Sequence, residues 1–360
     1  MCHEKLTVCV LFGGDSPEHE VSSRSGAMVL ENIDRDRFRV VPVGIRRDGT
    51  WLRTADDVEL VRSGAWETDP ASVPAILSPA RNAGGAGLFC GGEWIRVDCV
   101  FPILHGENGE DGSVQGVCKL AGIPCVGCGV ASSAVCMDKI YTKMVCDYEG
   151  IPQADCVISS DPRESVELVA KRVETKFDFP VFVKPANTGS SVGVAKAKDH
   201  DALIAAINDA RRYDSRVLIE EFIDGMELET AVLGNFAETV SGVGQIIPAQ
   251  EFYSYDAKYN DDNSAVNFEP DLPKEKLDEI REIAGRVFRV LGCKGFSRVD
   301  FFCRYKDQKV IFNEINTLPG FTVISMYPKL IARAGIDNTA MISRLIELAL
   351  ENAKGRVTNG

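Results

Sequence analysis

The residue types best suited to chemistry cluster in two short motifs in the last quarter of the chain. An Arg-x-Asp motif places Arg298 and Asp300 two residues apart, and an Asn-Glu-x-Asn motif does the same for Glu314 and Asn316. Side chains on a strand alternate between its faces, so each pair shares one face of its segment. Carboxylate and amide oxygens suit Mg²⁺, which substrate phosphates and water usually complete. The motifs indicate either a metal–nucleotide site or the polar outer face of an ordinary hairpin.

The sequence around the two motifs predicts the hairpin that would position them. Apolar runs at residues 299–303 and 310–315 flank a polar turn at residues 304–309. Two such runs joined by a short polar turn are typical of paired antiparallel strands. We therefore expect the two polar faces to lie side by side.

The first part of the chain alternates strand and helix patterns. Apolar runs predict three strands, at residues 6–12, 38–45 and 97–104. A helix pattern follows the first strand at about residues 21–32. Strands that alternate with helices indicate a parallel sheet in an α/β layer, which meets its ligands at the carboxyl ends of the strands. The polar loops at residues 15–20 and 105–112 lie at those ends.

The second part of the chain mixes shorter strands with helices. Extended segments are predicted at residues 152–158, 181–184, 217–222, 228–233 and 242–247. Helices are predicted at residues 139–148, 202–213 and 274–291, the last with apolar residues recurring on one face. The polar, tyrosine-rich stretch at residues 253–267 shows no periodicity, and a loop of that length is more often functional than not.

Composition excludes several classes of protein. Hydrophobic residues make up 45% and charged residues 26% of the 360, which is a globular rather than a disordered balance. A net charge of -13 disfavours nucleic acid as a partner, and no apolar run is long enough to span a membrane. Most of the 12 cysteines lie in apolar runs, as expected of reduced, buried thiols, and Cys125 and Cys128 lack further zinc ligands nearby. We expect a cytoplasmic protein.

A second set of residues is suited to holding phosphates. Lys139 and Lys184 are single cations in apolar or turn surroundings, and Glu220 ends an apolar strand. The turn at residues 186–194 is rich in glycine and serine, including Ser190, so that its backbone N–H groups and hydroxyls could close over an anion. Taken by itself, such a turn is more often a hairpin with a flexible tip than a phosphate-binding loop. It is not a Walker loop, because Lys184 precedes the glycines.

In this order along the chain, the motifs resemble those of the ATP-grasp superfamily. Four longer motifs are similar to the D-alanine–D-alanine ligase family, at residues 13–22, 104–116, 137–139 and 314–322. The resemblance runs from about residue 6 to 345. It implies an α/β and α+β protein with the three-domain ATP-grasp fold and an N-terminal Rossmann-like parallel-sheet domain. The expected divisions are a substrate domain at 1–130, a central ATP-grasp subdomain at 131–227, and a C-terminal subdomain at 228–360 with the lid loop and metal site.

The resemblance also implies the reaction and its participants. The expected activity is ATP-dependent ligation of two D-alanines through an acyl phosphate, for peptidoglycan precursor synthesis. The expected cofactors are ATP and two Mg²⁺ ions, with Mn²⁺ as an alternative, and the expected assembly is a homodimer. Related ligases that use D-serine or D-lactate, and other ATP-grasp carboxylate–amine ligases, are the alternatives. A non-catalytic nucleotide-binding protein would be expected to lose Arg298 or a metal ligand, and this chain keeps them.

Carried over motif by motif, the resemblance assigns four groups of residues. Those assigned to catalysis are Glu18, Ser190, Tyr259, Arg298 and Ser325. Those assigned to the substrates are His105, Gly320 and Met326. Those assigned to ATP are Lys139, Lys184, Ser191, Glu220, Glu221, Ile223, Glu227 and Lys258. Those assigned to the metal are Asp300, Glu314 and Asn316.

Met326 bears on the choice of second substrate. Family members that make D-lactate or D-serine products tend to carry arginine at this position, whereas the apolar Met326 fits a methyl side chain. The D-lactate type also lacks the tyrosine that corresponds to Tyr259. A single such pocket contact is worth about 1 to 3 kcal/mol of discrimination. The sequence therefore favours D-alanine as both substrates.

Overall fold

Three β-sheets form the framework of the computed structural model, which describes residues 4–82, 85–247 and 265–354. The strands of the first sheet are β1 (Leu6–Gly13), β2 (Phe38–Ile45), β3 (Trp51–Arg53), β4 (Val73–Asn82), β5 (Gly85–Cys90), β6 (Glu93–Arg96) and β7 (Cys99–Pro102). Its order is β6-β5-β4-β3-β2-β1-β7. The helices of this part are α1 (His19–Asn32), α2 (Val58–Arg62) and α3 (Ser113–Ala121).

The first sheet is parallel only at its centre. β1 pairs in parallel with β2 and with β7, whereas β3 to β6 join by antiparallel pairing. The central strands are buried on both faces, as a continuous apolar run requires, and Val8, Val10 and Leu11 are fully buried. The strands predicted at residues 6–12 and 38–45 are confirmed, and the carboxyl ends of β1 and β7 lead into the two predicted polar loops.

The second sheet is small and antiparallel. Two helices precede it, α4 (Val130–Met137) and α5 (Lys139–Tyr148). Its strands are β8 (Cys156–Ser159), β9 (Val181–Pro185), β10 (Ala195–Ala197) and β11 (Val217–Glu221), in the order β10-β9-β11-β8. The helices α6 (Val166–Lys176) and α7 (His200–Ala210) pack their buried faces against it. Lys184 on β9 pairs with Leu218 on β11, two residues before Glu220, so Lys184 and Glu220 lie on the same face of this sheet.

The third sheet carries the two chemical motifs. Its strands are β12 (Gly225–Gly234), β13 (Thr239–Ile247), β14 (Ala265–Asn267), β15 (Gly295–Arg304) and β16 (Val310–Asn316), in the order β14-β13-β12-β15-β16. Its helices are α8 (Lys274–Val290), α9 (Met326–Arg333) and α10 (Asn338–Lys354). On α8 the predicted apolar face is buried, with Ile280, Ala284 and Val287 inaccessible to solvent. Burying each of the two larger side chains stabilises the fold by about 1.5 to 3 kcal/mol.

The predicted hairpin is confirmed as the antiparallel pair of β15 and β16. Arg298 lies opposite Asn316, and Asp300 lies opposite Glu314, so the two polar faces are in register. The register shifts immediately after Asp300, and a β-bulge of this kind re-aims the neighbouring side chains. The hairpin therefore sets four polar side chains in two adjacent cross-strand pairs.

Three further sequence predictions bear on the fold. Residues 253–264 of the predicted loop, including Lys258 and Tyr259, lie outside the described residues. The last three residues of that loop form β14. All eleven cysteines within the described part of the chain are free thiols. Among the described residues, no helix has the length and apolar character needed to cross a membrane.

Candidate active site

Loops and strand ends from the three sheets meet around a cavity of about 80 Å³. The sequence-predicted residues that line it are Glu18, His105, Lys139, Ser190, Arg298, Glu314, Asn316 and Gly320. These positions are spread over some three hundred residues of chain, yet they face one space. Backbone that follows β1, β7, β9 and β16 supplies most of the wall.

Glu18 is the residue that immediately precedes α1, and it is buried. Its carboxylate approaches the loop after β7 on one side and the glycine-serine loop on the other. A methyl group built on Gly106 would stand 3.2 Å from its Oε2 atom, and one built on Gly189 would stand 3.7 Å away. The start of a helix favours a negative charge, because the unpaired N–H groups there carry partial positive charge. Glu18 is thus an anionic group held where two loops meet.

His105 is held as a neutral imidazole in the wall beside Glu18. Its Nδ1 atom lies 3.0 Å from the carbonyl oxygen of Leu318, which can only accept, so Nδ1 carries the proton. Its Nε2 atom lies 3.1 Å from the hydroxyl of Ser25, from which it accepts. Burial lowers the pKa of His105 below its usual value, although Glu18 acts in the opposite direction.

Glu110 lines the same cavity and was missed by the sequence analysis. Its two carboxyl oxygens accept hydrogen bonds from the backbone N–H groups of Gly106, at 2.9 Å, and Leu318, at 3.2 Å. Burial, together with the nearby charge of Glu18, raises the pKa of Glu110 to about 8. The carboxyl is therefore mostly protonated at neutral pH. The sequence signal that could have identified Glu110 is an acidic residue among the glycines that follow His105.

Arg298 is held by two acidic side chains, one on its own strand β15 and one on the neighbouring strand β12. Its Nε and Nη2 atoms donate to the two oxygens of Asp300 at 2.7 and 2.6 Å, and Nε lies 3.1 Å from Glu229 on β12. Burial alone would lower the pKa of Arg298, but Asp300 and Glu229 raise it well above the ordinary value. The guanidinium therefore stays charged and fixed in direction at the cavity wall.

The predicted metal ligands offer oxygen donors of the right kind. Asp300 and Glu314 are direct cross-strand partners, and the Asn316 amide lies 3.1 Å from Asp300. Both oxygens of Asp300 already accept from Arg298, but a carboxylate has about four lone-pair sites and can serve a cation as well. Within the described residues, no group of three or more His, Cys, Asp or Glu side chains is placed to hold a metal. The set therefore consists of two carboxylates and an amide.

The two predicted phosphate-binding lysines differ in their partners. Lys184 donates to Glu220 at 2.6 Å and to the side chain of Asn313 at 3.3 Å. Burial would lower the pKa of Lys184, but Glu220 raises it above its usual value. The Nζ atom of Lys139 donates to the carbonyl oxygen of Thr188, and burial lowers the pKa of this lysine. One cation is thus tied to a carboxylate and the other to the backbone of the glycine-serine loop.

The glycine-serine loop adopts a strained backbone beside the cavity. Ser190 and Ser191 have positive φ angles of 50° and 61°, which non-glycine residues rarely adopt. Each such residue stores about 1 to 3 kcal/mol, and strain of this kind is concentrated at functional sites. Residues 186–194 form no strand, and the chain resumes strand pairing only at β10.

Five further predicted residues in the described part of the chain do not line this cavity. Glu221 accepts a hydrogen bond from the N–H of Asp155, Ile223 is buried, and Glu227 lies on β12. Ser325 precedes α9, and Met326 is buried within the core beside it. Ser325 and Met326 are not among the described residues that line the cavity. Their assigned roles stay predictions.

Comparison with family models identifies the family of this chain. The model described as D-ala D-ala ligase N-terminus matches residues 7–128, and that described as D-ala D-ala ligase C-terminus matches residues 145–347. The chain belongs to the D-alanine–D-alanine ligase family. This ligase chain is 47% identical over 351 residues to a D-alanine–D-alanine ligase of Caldicellulosiruptor bescii, a match that covers 96% of each chain.

Solved structures of D-alanine ligases share the fold. The VanG D-Ala:D-Ser ligase from Enterococcus faecalis matches with a TM-score of 0.88 and 37% identity, over 96% of this chain and all of that one. A D-alanine–D-alanine ligase from Bacillus anthracis, complexed with ATP, matches with a TM-score of 0.72 and 26% identity, over 98% and 99% of the two chains. The predicted family and fold class of this ligase are confirmed.

Proposed function

We propose that this chain joins two molecules of D-alanine into D-alanyl-D-alanine at the expense of ATP, for peptidoglycan precursor synthesis. The observation that carries the proposal is the convergence of Glu18, Arg298 and Lys139 on one cavity. Such a ligation requires an anion that pairs with an ammonium group, a cation that stabilises a developing oxyanion, and a cation that binds phosphate. Membership of the D-alanine–D-alanine ligase family supports the same reaction.

Glu18 and His105 are suited to the first D-alanine. The buried Glu18 carboxylate would pair with the ammonium group, and the closeness of the glycine-serine loop would bring Ser190 to the same substrate. A neutral His105 contributes to the shape of the pocket without placing a second positive charge beside that ammonium group. The substrate carboxylate would then point towards Lys139 and Arg298.

The first chemical step is a phosphoryl transfer. A carboxylate oxygen of the first D-alanine attacks the γ-phosphorus of ATP, the bond to the β-phosphate oxygen breaks, and ADP leaves an acyl phosphate behind. Lys139 and Lys184 would hold the phosphate oxygens and offset their charge. Asp300, Glu314 and Asn316 would hold Mg²⁺, which when bound neutralises phosphate charge. Two ions, or Mn²⁺ in place of Mg²⁺, belong to the same proposal.

The second step forms the peptide bond. The amine of the second D-alanine attacks the acyl carbonyl carbon, gives up a proton, and inorganic phosphate leaves. Arg298 and the N–H of Gly320 are suited to the oxyanion of the tetrahedral intermediate, because they lie on the wall that faces the other substrate residues. A preorganised donor of this kind is worth about 3 to 4 kcal/mol of the barrier. Ser325, Met326, Tyr259 and Lys258 keep their predicted roles here.

The choice of second substrate is the finer part of the proposal. An apolar, buried Met326 at the position where arginine marks D-serine or D-lactate ligases supports D-alanine. The likeness to a D-Ala:D-Ser ligase makes D-serine the alternative to test. The proposal also includes a homodimer, the three domains divided near residues 130 and 227, and a cytoplasmic location, which the free thiols support because reducing compartments keep cysteines unpaired.

A product assay tests the proposal. Purified protein is supplied with ATP, magnesium chloride and D-alanine, then with an equal concentration of D-serine or D-lactate in competition, and products are resolved by mass spectrometry. D-alanyl-D-alanine is expected to dominate each mixture, with phosphate release that requires both D-alanine and magnesium. A dominant mixed product would reassign the second substrate, and absence of any D-alanine product would overturn the function.

A further inference from the structure

Glu220 lies near the end of β11 between two lysines, the buried Lys143 and the partly buried Lys184. Its Oε1 atom is 2.7 Å from Nζ of Lys143, and its Oε2 atom is 2.6 Å from Nζ of Lys184. Fewer than a tenth of the Glu220 and Lys143 side chains is exposed, with values of 7% and 9%. Burial would raise the pKa of Glu220, but the two lysines hold it at about 2. Lys143 belongs to none of the motifs that the sequence analysis used.

The two lysines are held in different ways. Lys143 projects from α5, and its Nζ atom also donates to the carbonyl oxygen of Ala154 at 2.9 Å, which fixes the ammonium group on the far side of Glu220. The carbonyl oxygen of Lys143 in turn accepts from the side chain of Gln153. Lys184 has Glu220 as its near partner and a longer contact, 3.3 Å, to Asn313 next to the proposed metal ligands. Lys184 is therefore the lysine placed to exchange partners.

We propose that Lys143 is a positioning residue, the permanent counter-ion of Glu220, which releases Lys184 to bind the triphosphate of ATP. This inference rests on the proposed function only in taking Lys184 as a phosphate ligand. The Lys143 side chain is only 9% exposed, and its ammonium group already contacts Glu220 and the carbonyl oxygen of Ala154. It therefore acts through Glu220 and not by touching a substrate.

The charge balance of the site explains why a second lysine is needed. A buried carboxylate without a partner is strongly unfavourable, so Glu220 must keep a cation when Lys184 turns towards phosphate. Lys143 supplies that cation in both states. Without Lys143, Glu220 and phosphate would compete for Lys184, so an ion pair of Lys184 with one of them would form only when its ion pair with the other broke. The carboxylate also stays ionised, and so accepts hydrogen bonds from a nucleotide base without donating any.

Binding of tripolyphosphate measures this effect without the base or the amino acid. Calorimetry with tripolyphosphate and magnesium chloride is carried out on the wild type, Lys143→Met, Glu220→Gln and the double variant. Lys143→Met is expected to weaken binding by about 10- to 100-fold, the range of one charged hydrogen bond. Adding Glu220→Gln to Lys143→Met should restore the affinity to within about threefold of the wild type, because nothing then competes for Lys184.

A matched control is Lys176→Met. Lys176 forms an exposed ion pair with Asp155 next to the same small sheet, at 3.4 Å and with 42% of the lysine side chain exposed. Surface pairs of this kind contribute little, so tripolyphosphate affinity should match the wild type. Thermal unfolding of every variant shows whether each has folded.

The pattern of affinities separates positioning from a merely structural role. The inference requires that removing the charge of Glu220 reverses the effect of Lys143→Met, so failure of the double variant to recover would overturn it. An unchanged affinity in Lys143→Met would overturn it as well. Should Lys143→Met not fold, the double variant decides alone: a loss of about tenfold or more refutes the inference. None of these measurements depends on dipeptide formation, so they remain decisive if the proposed reaction fails.

Discussion

Replacing Glu110 with glutamine should remove a loss of stability that the wild type suffers as the pH rises. The folded protein raises the pKa of this carboxyl from 4.5 to about 8, through burial and the nearby Glu18. A raised pKa means that the folded state holds the proton more tightly than the unfolded state does. The resulting stability is fully present below about pH 4.5 and is lost as the pH rises through about 8.

The size of the effect follows from the two pKa values. Between about pH 6 and about pH 8 the free energy of unfolding should fall by about 2.3 kcal/mol, because the stabilising contribution of the Glu110 proton is lost. This is an upper value, because Glu110 keeps some contact with solvent through the cavity. Glutamine resembles the protonated carboxyl in shape and keeps an oxygen acceptor, so Glu110→Gln should lack this pH-dependent contribution.

Thermal unfolding at the two pH values, without ligands, measures the difference. A change of 1 kcal/mol moves the Tm of a large domain by about 2 to 4 °C, so the wild type should lose several degrees more than Glu110→Gln over this interval. Infrared spectroscopy adds a direct test, since the wild type at neutral pH should show a protonated carboxyl band that the variant lacks. Equal pH dependence in both proteins, with no band difference, would refute the reasoning.

Three further predictions concern the hairpin and the first sheet. Glu314→Gln should abolish D-alanine-dependent phosphate release by weakening magnesium binding, and turnover at the wild-type rate would remove Glu314 from the site. Arg298→Lys should lower kcat by about tenfold or more, because lysine cannot reproduce the two parallel hydrogen bonds to Asp300; a lower Tm with unchanged kcat would contradict this. Gly44→Ala should reduce the free energy of unfolding by about 1 to 3 kcal/mol in a denaturant titration, because its methyl group would overlap the buried ring of Trp66, while KM values stay unchanged.

The sequence predicted those elements whose hydrophobic pattern was long and continuous. β1, β2 and α5 lie within a residue or two of their predicted bounds, and the register of β15 and β16 pairs the residues that alternation had placed on one face. The strands β4 to β6 were not predicted. Proline, glycine and alanine interrupt their apolar pattern, and they form by antiparallel pairing between neighbours, which local periodicity does not reveal.

The partners of the site residues were harder to predict than the residues themselves. Lys143 is one of many lysines on amphipathic helices, and only the approach of α5 to β11 shows that it meets Glu220. Glu229 was likewise an ordinary strand residue until the pairing of β12 with β15 placed it beside Arg298. Such contacts join segments far apart in sequence, and their charge and burial depend on the assembled fold.

His105 is hydrogen-bonded to the segment after β16, and this contact affects the order in which parts of the protein fold. The imidazole contacts the carbonyl oxygen of Leu318, and the N–H of Phe321 donates to Ser25, which itself contacts His105. The amino-terminal wall of the cavity is thus completed by residues made about two hundred positions later. Because contacts of such long range form slowly, recovered activity during refolding reports the last closure of the chain and lags behind its secondary structure.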